Sequence, residues 1–399
     1  MRPTWGHPKR NGSSALKQVL HDFSTCSKTR KALLNFMNSE ALIASRSMET
    51  RIAAIIVNWN GGQETIGCLR SLLTLNRHST DLSVAVVDND SADDSIREIL
   101  DFLVNQGYKS SPFAVSGESA RRIKDVTLFS PARASQPFMY LIRAYENYGF
   151  AAANNIGMEL FRWNSKPTYF WFLNNDTAVD ENALAPLIEK MTMHPDIGIC
   201  GSTILYASDR QTVQAYGGAY YSLRTGRGWA FGMGARYDPN VTDHLAEANI
   251  NFISGAAMFV RATALTKVGP MCEDYFLYNE EIDLSTRGKG IFLLGVATKS
   301  IVYHMVGASI GSEKGEGVGS RLATFYQARS KLLFAKKHTP QYLPMVWIVL
   351  FARAVKFTTS PLTRRNAVVI LSVLFGRRQV DARWFAERTK NNPSLPGVK

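Results

Sequence analysis

No stretch of this 399-residue chain offers the ~20 consecutive apolar residues that a membrane-crossing helix needs. The first 47 residues are polar and basic, and Ala41–Ala44 is far too short for the apolar core, about 7–15 residues, of a secretory signal. Only four cysteines occur, Cys26, Cys68, Cys200 and Cys272, all far apart. Without a CxxC pair they suggest neither a zinc site nor a disulfide framework, and free thiols in a reducing compartment are expected. The glycine loop NWNGGQETIG lacks GxGxxG, and GxxxxGK[ST] appears nowhere. Both gaps tell against a dinucleotide-dependent enzyme and a P-loop ATPase. Residues 52–69 contain no Lys or Arg, which a nucleotidyltransferase would need around a triphosphate.

The charge that is present is uneven. Residues 1–51 carry 9 Lys and Arg against 3 Asp and Glu, residues 52–319 carry 22 against 28, and residues 320–399 carry 15 against 2. A groove tracking nucleic acid would place its cations inside the folded body, so a mildly acidic body with basic ends argues against one. Basic ends suit an anionic membrane surface. With 45% hydrophobic residues the chain can bury one large domain with appendages, or two smaller ones.

Apolar patterning predicts a doubly wound α/β body. Ile52–Asn58 and Leu82–Val87 read as buried parallel strands, each followed by a helical pattern, Thr65–Leu75 and Ser91–Leu103. Residues 105–137, rich in Gly, Ser, Pro and scattered charge, read as an irregular insertion. The alternation resumes with strands at Phe138–Ile142, Tyr169–Leu173 and Ile197–Cys200 and helices at Ala151–Phe161 and Glu181–Met191. Tyr216–Asp238 suggests hairpins or a loop over the sheet edge. Phe252–Val260 and Ile291–Val296 read as strands, Ala262–Val268 and Glu280–Arg287 as helices.

Ligands of open α/β sheets sit outside the carboxyl ends of the strands. Here those ends are Asn58-Trp59-Asn60, Asp88-Asn89-Asp90, Asn147-Tyr148-Gly149 and Asn174-Asn175-Asp176. Such a site has carboxylates and amides but few cations. It can hold a diphosphate only with a hard divalent cation, for which Asp176 is the natural oxygen ligand.

The runs IVNWNGGQETIGCLRSL, VVDNDSADDS, NYGFAAANNIG, FLNNDT, SGAAMFVRATAL, FLYNEEIDLSTR and YHMVGAS occur in this order. Together they resemble glycosyltransferase family 2, closest to its rhamnosyltransferase-like members, over about residues 52–310, and the likeness continues into FYQARSKLLFAKKH. The resemblance implies a Rossmann-like GT-A nucleotide-diphospho-sugar transferase fold with a helical C-terminal extension. It implies donor binding by Asn58, Asn60, Asp88, Asn147, Gly149, Asn154, Asn155, Asn174 and Asn175, with Asp88 on the base or ribose. It places Asp176 last in the DXD-type metal motif, His304 as a second metal-side ligand, and Glu281 as the general base, with Mn²⁺ or Mg²⁺ as cofactor. Two departures stand out: the metal motif holds a single carboxylate, and the base is Glu in place of the commoner Asp. Structural readings stay open beside these: Asp88 as a helix cap, Asp176 as a turn residue, His304 as a structural histidine, and Gly149 and Gly255 as backbone needs.

One base and no nucleophile point to single displacement with inversion, which the family also implies. The expected enzyme moves a sugar from a nucleoside-diphosphate donor to a glycan or lipid-linked acceptor, with no nucleic-acid partner. The expected organisation is a basic extension over 1–47, a catalytic domain over 48–319, and a basic helical tail over 320–399, with Met48 a second candidate start. In the tail, Tyr342–Ala352 and Ala367–Phe375 are apolar and flanked by Arg364, Arg365, Arg377 and Arg378, with Trp347 and Trp384 nearby. Such helices either lie in the membrane interface, at the cytoplasmic face, or pack on the body or in a dimer. A sugar-nucleotide-binding scaffold without turnover is the non-enzyme alternative.

Overall fold

A computed structural model describes residues 50–77, 80–115, 118–305 and 320–377. The N-terminal extension with Cys26 and Met48, the end of YHMVGAS, Arg378 and Trp384 lie outside the described residues.

In chain order the elements are β1 (Arg51–Asn58), α1 (Gly62–Leu73), β2 (Asp81–Asp88), α2 (Ser95–Asn105), β3 (Lys109–Pro112), β4 (Ile123–Ser130), β5 (Phe138–Ala144) and α3 (Phe150–Asn164). There follow β6 (Tyr169–Asn174), β7 (Thr177–Val179), α4 (Leu184–Met193), β8 (Ile197–Tyr206), β9 (Asp209–Tyr216), β10 (Gly218–Tyr221), β11 (Gly228–Ala230) and α5 (Asp243–Glu247). The body closes with β12 (Phe252–Ile253), β13 (Ala257–Arg261), α6 (Ala262–Val268), α7 (Glu280–Arg287) and β14 (Leu293–His304), and α8 (Arg321–His338), α9 (Leu343–Thr358) and α10 (Arg364–Leu374) form the tail.

The large sheet runs β3-β4-β5-β2-β1-β6-β13-β8-β14-β7, with β9 paired to β8. Its heart, β5-β2-β1-β6, is parallel as the sequence pattern predicts. Strand β1 shows why: it is buried on both faces, Ile52, Ala54 and Ile56 facing the core under α1, α2 and α4, and Ala53, Ile55 and Val57 facing α3.

Elsewhere the sheet is mixed. Strand β13 inserts antiparallel between β6 and β8, and β4 pairs antiparallel with β5. Residues 105–137 are therefore not irregular: they hold β3 and β4, an antiparallel edge whose outermost strand, KSSP, is largely exposed and so carries no apolar alternation. The expected strand Phe252–Val260 is broken at residues 254–256 into β12, which joins a small sheet with β10 and β11, and β13. The last strand is much longer than Ile291–Val296, reaching His304.

The tail packs on the body. Leu322, Phe325 and Tyr326 of α8 bury against Leu277, with Trp59, Phe150 and Phe276 partly covered, and the Phe276 and Tyr326 rings stack at 4.7 Å. On its other side α8 meets α9 and α10 through Val346, Leu350, Ala354, Val369 and Ile370. Among the described residues no helix is long and apolar enough to cross a membrane. A charged joint pins α8: Asp283 of α7, fully buried, accepts from Arg287 Nε and pairs with His338 Nε2, each at 2.6 Å.

Removing one side of a buried, hydrogen-bonded pair leaves its partners uncompensated. Asp283→Asn is expected to lower the unfolding free energy by about 3 kcal/mol. A urea unfolding curve indistinguishable from the parent's would show that the joint contributes nothing.

Candidate active site

The carboxyl ends of β5, β2, β1 and β6 lie side by side, and a hydrogen-bonded rim joins them. Asn58, the last residue of β1, is fully buried and must find partners for its amide. Its Nδ2 donates to Asp88 Oδ1 at 2.7 Å and to Ser91 Oγ at 3.1 Å, while its Oδ1 accepts from Thr65 Oγ1 at 2.7 Å. Thr65 Oγ1 also accepts from Asn175 Nδ2 at 3.3 Å, which brings in the end of β6. Toward β5, Asn89 Nδ2 donates to Asn147 Oδ1 at 2.8 Å and to the Gly149 carbonyl at 3.2 Å.

Several expected donor-binding residues thus build the rim and are closed off from solvent. Asn58, Asp88, Asn154 and Asn175 are at most 3% exposed. Asp88 takes the Ser91 N–H on Oδ2 at 3.1 Å, closing that turn; the N-cap of α2 is Asp94, so Asp88 does not cap the helix. Burial pushes the Asp88 carboxyl above its usual range, against the pull of the hydrogen bonds from Ser91 and Asn58. Asn155 clamps α3 to the loop between α6 and α7, through both backbone groups of Met271 and Glu273 Oε1. Asn154 Nδ2 donates to the Phe150 carbonyl, and its buried Oδ1 has no partner among the described residues. Gly149 sits at φ +87°, where an added Cβ would lie 2.4 Å from the Phe276 carbonyl, so only glycine fits at the head of α3. Asn60, Asn147 and Asn174 are half-buried and keep a face toward solvent.

Beyond Asn174 the chain turns into β7, which pairs with the end of β14 and brings residues 128 apart in sequence together. His304 Nε2 lies 3.1 Å from Asp176 Oδ1 and 3.5 Å from Asn174 Nδ2. On its far side His304 Nδ1 donates to Gln214 Oε1 of β9 at 2.9 Å. With Nδ1 turned to Gln214, Nε2 is presented to the Asp176 carboxylate, so that the two atoms can share a cation. The residues fit a divalent ion: one carboxylate oxygen and one imidazole nitrogen suit Mn²⁺, and 3.1 Å is close to the ~3 Å edge between neighbouring ligands at ~2.1 Å bonds. Among the described residues no set of three His, Cys, Asp or Glu side chains could hold a metal, so diphosphate oxygens and water would complete the shell.

Glu281 comes in from α7. Its side chain packs on Gly255, whose added Cβ would lie 3.7–3.8 Å from it, and the next residue's carbonyl, Ala256, accepts from Asn174 N at 3.0 Å. The base candidate is thereby tied to the metal-side strand through one loop. Burial raises its carboxyl to about 7, opposed by hydrogen bonds from backbone N–H groups. Glu280 is 5% exposed with Oε2 unpartnered among the described residues; burial, and then the charge of Glu281, hold its carboxyl well above the usual range. Asp283 is committed to Arg287 and His338, which leaves Glu281 the half-buried carboxylate of the three.

Thr65, Ser91, Asn89, Gln214 and Tyr221 were not singled out by sequence. Thr65 and Ser91 had a signal, hydroxyls just after polar strand ends; Gln214 had none, because only the β8–β9 pairing brings it to His304.

Removing the acceptor on Nδ1 frees the ring to rotate and costs about 10–100-fold in metal affinity. Gln214→Ala is expected to weaken Mn²⁺ binding, measured in the presence of a nucleoside diphosphate, by that factor, and Asp176→Ala to abolish it. Equal Mn²⁺ affinity in both variants and parent would remove the metal from this pair.

Residues 130–264, roughly a third of the chain, match the family model described as Glycosyl transferase family 2. The segment includes Asn147 through Asp176 and stops short of Glu281 and His304. No curated protein sequence matches the chain. Among solved structures, GalNAc-T7 with UDP, GalNAc and Mn²⁺ aligns at TM-score 0.51 and 11% identity, covering 77% of this chain and 51% of that one. TarS 1–349 of S. aureus with UDP-GlcNAc aligns at 0.47 and 13%, covering 81% and 80%. Mannosyltransferase PcManGT of Pyrobaculum calidifontis with GDP-Man and Mn²⁺ aligns at 0.45 and 12%, covering 90% and 86%. The fold likeness reaches beyond the matched segment: the chain has a mixed α/β fold like that of GT-A glycosyltransferases, and residues 130–264 carry the match to glycosyltransferase family 2.

Proposed function

We propose that the protein is an inverting, metal-assisted glycosyltransferase that moves a sugar, rhamnose in the closest reading, from a nucleoside-diphosphate donor to a hydroxyl of a glycan or lipid-linked acceptor in surface polysaccharide synthesis. The Asp176–His304 pair carries the reading: a carboxylate oxygen and an imidazole nitrogen 3.1 Å apart at the strand-end edge, where the chain offers few cations of its own for a diphosphate. The Mn²⁺ and UDP of GalNAc-T7 support the same donor chemistry.

In this reading Asp176 and His304 hold the ion, with Asn174 beside them, and the bound ion would neutralise charge on the departing diphosphate. Asn60 and Asn147 line the donor pocket, and Asn58, Asp88, Asn89, Thr65 and Asn175 fix its floor. Glu281 takes the proton of the acceptor hydroxyl as the donor bond breaks, and a single displacement inverts the anomeric centre. Residues 48–319 form the catalytic domain and 320–399 the basic tail, with 1–47 an extension. The tail seats the enzyme on the inner face of the cell membrane. Support comes from α9, whose Met345, Ile348, Phe351 and Val355 fall on one face and are each at least 40% exposed, with Lys356, Arg364 and Arg365 nearby.

A general base must be deprotonated, so kcat/KM should rise with pH through about 7. Glu281→Gln is expected to lower kcat about 10²–10⁴-fold, flatten that rise, and leave donor affinity within a few-fold. The stability sign follows from the same shift: the folded form holds its proton more tightly than the unfolded chain. The contribution of Glu281 is full below the ordinary carboxylate value, near 4.5, and is lost as pH rises through about 7. Near-normal turnover in the variant would assign the base elsewhere.

Ile348→Glu with Phe351→Glu should release the protein from vesicles containing phosphatidylglycerol without changing donor affinity, since both side chains face outward. Retained sedimentation with the vesicles would exclude α9 as the contact.

A further inference from the structure

Three cations meet where the tail joins the body, and no carboxylate among the described residues pairs with any of them. Lys331 lies half-buried on α8, with no hydrogen bond or ion pair to a described residue. Arg353 of α9 is half-buried as well; its guanidinium donates to Gln327 Oε1 at 3.4 and 3.5 Å, one turn before Lys331 on the same helix, and lies over the Phe357 ring at 5.1 Å. Arg227 stands in the turn between β10 and β11, and the preceding Gly226 backs on α9: its added Cβ would lie 3.4 Å from Val346 and from the Tyr221 hydroxyl. Burial first, then the charges of Arg353 and Arg227, push Lys331 down to about 8. Arg227 itself is exposed, at the rim; holding Lys331 and Arg353 half-buried together with no acid is unfavourable unless an anion completes the site.

Tyr221 links this cluster to the base. Its ring meets Phe334, one turn after Lys331, at 5.2 Å, and its hydroxyl accepts from Asn279 Nδ2 at 3.3 Å. Asn279 is the N-cap of α7, which carries Glu281, and the charge of Glu281 acts on Tyr221. Tyr221 therefore joins α8, which carries Lys331, to the N-cap of α7, which carries Glu281, and Arg353 sits on the helix whose other face is apolar and exposed.

We propose that Lys331, Arg353 and Arg227 bind the phosphate or diphosphate of a lipid-linked acceptor, holding it between the apolar face of α9 and Glu281. This rests on the glycosyltransferase reading and names the acceptor class. Two or three guanidinium and ammonium donors suit a phosphate ester, and the lipid would run out along the exposed face of α9.

The test is calorimetry on the full chain with farnesyl diphosphate, inorganic diphosphate and farnesol as probes, each in EDTA and in Mn²⁺. Farnesyl diphosphate is expected to bind in EDTA, more tightly than inorganic diphosphate, and farnesol not to bind. Lys331→Met and Arg353→Gln should each weaken farnesyl diphosphate at least about tenfold. Lys331→Met should melt at or above the parent temperature, because it removes like-charge repulsion, and Lys331→Arg should restore binding. Affinity that needs Mn²⁺ would put the probe at Asp176 and overturn the proposal, as would unchanged affinity in both variants. A loss in the variants that is equal for phosphatidylglycerol vesicles would make the cluster a general headgroup contact and overturn it too. Donor hydrolysis, with water as acceptor, is measured separately: its absence from parent protein with UDP-, GDP- and dTDP-sugars would count against the enzyme reading alone.

Discussion

Leaving a buried amide unpaired is costly, and that cost organises the strand ends of this protein. The parallel heart of the sheet ends in Asn58, Asp88 and Asn174-Asn175, polar groups at the mouth of a core made of Ile, Val, Phe and Trp. Each orphaned group there would cost about 1–3 kcal/mol. The chain meets the requirement by bonding strand ends to one another, Asp88 to Asn58, Asn58 to Thr65, and Thr65 to Asn175. Loops fixed in this way hold half-buried groups such as Asn60 and Asn147 at set positions without ordering them anew for a ligand.

The same rule explains what was legible in the sequence and what was not. Buried parallel strands are nearly continuous apolar runs, so β1, β2, β5 and β6 could be read directly, and their polar ends marked the candidate site. The edge strand KSSP could not, because its exposure removes the apolar alternation that marks a strand. Asn58 and Asn175 looked like ligand contacts because amides at strand ends are ambiguous: the same residue type binds ligands when exposed and satisfies its neighbours when buried. Only the fold separates these cases. Gln214 and His338 illustrate the other limit. Each acts on a partner 90 or 55 residues away, and nothing local in the sequence announces such a pairing.

The tail changes meaning once its packing is known. Read alone, Tyr342–Ala352 was an apolar segment with two possible destinations, membrane or protein. In the fold one face of α9 packs on protein, Val346, Leu350 and Ala354 burying against neighbouring helices, while Ile348, Phe351 and Val355 stay exposed. A helix of 16 residues cannot cross a bilayer, so an apolar outer face is suited to lying along an interface.

Charge placement then divides the site. Residues 52–69 contain no Lys or Arg, so in the proposed reading a diphosphate at these strand ends would rely on an ion held by Asp176 and His304. Fixed cations are found instead on the tail, Lys331 on α8 and Arg353 on α9, and burial, not these charges, sets the Glu281 carboxyl near 7. A cation paired directly with Glu281 would drive the carboxylate toward its ordinary range, so keeping Lys331 apart from it leaves the raised proton affinity intact.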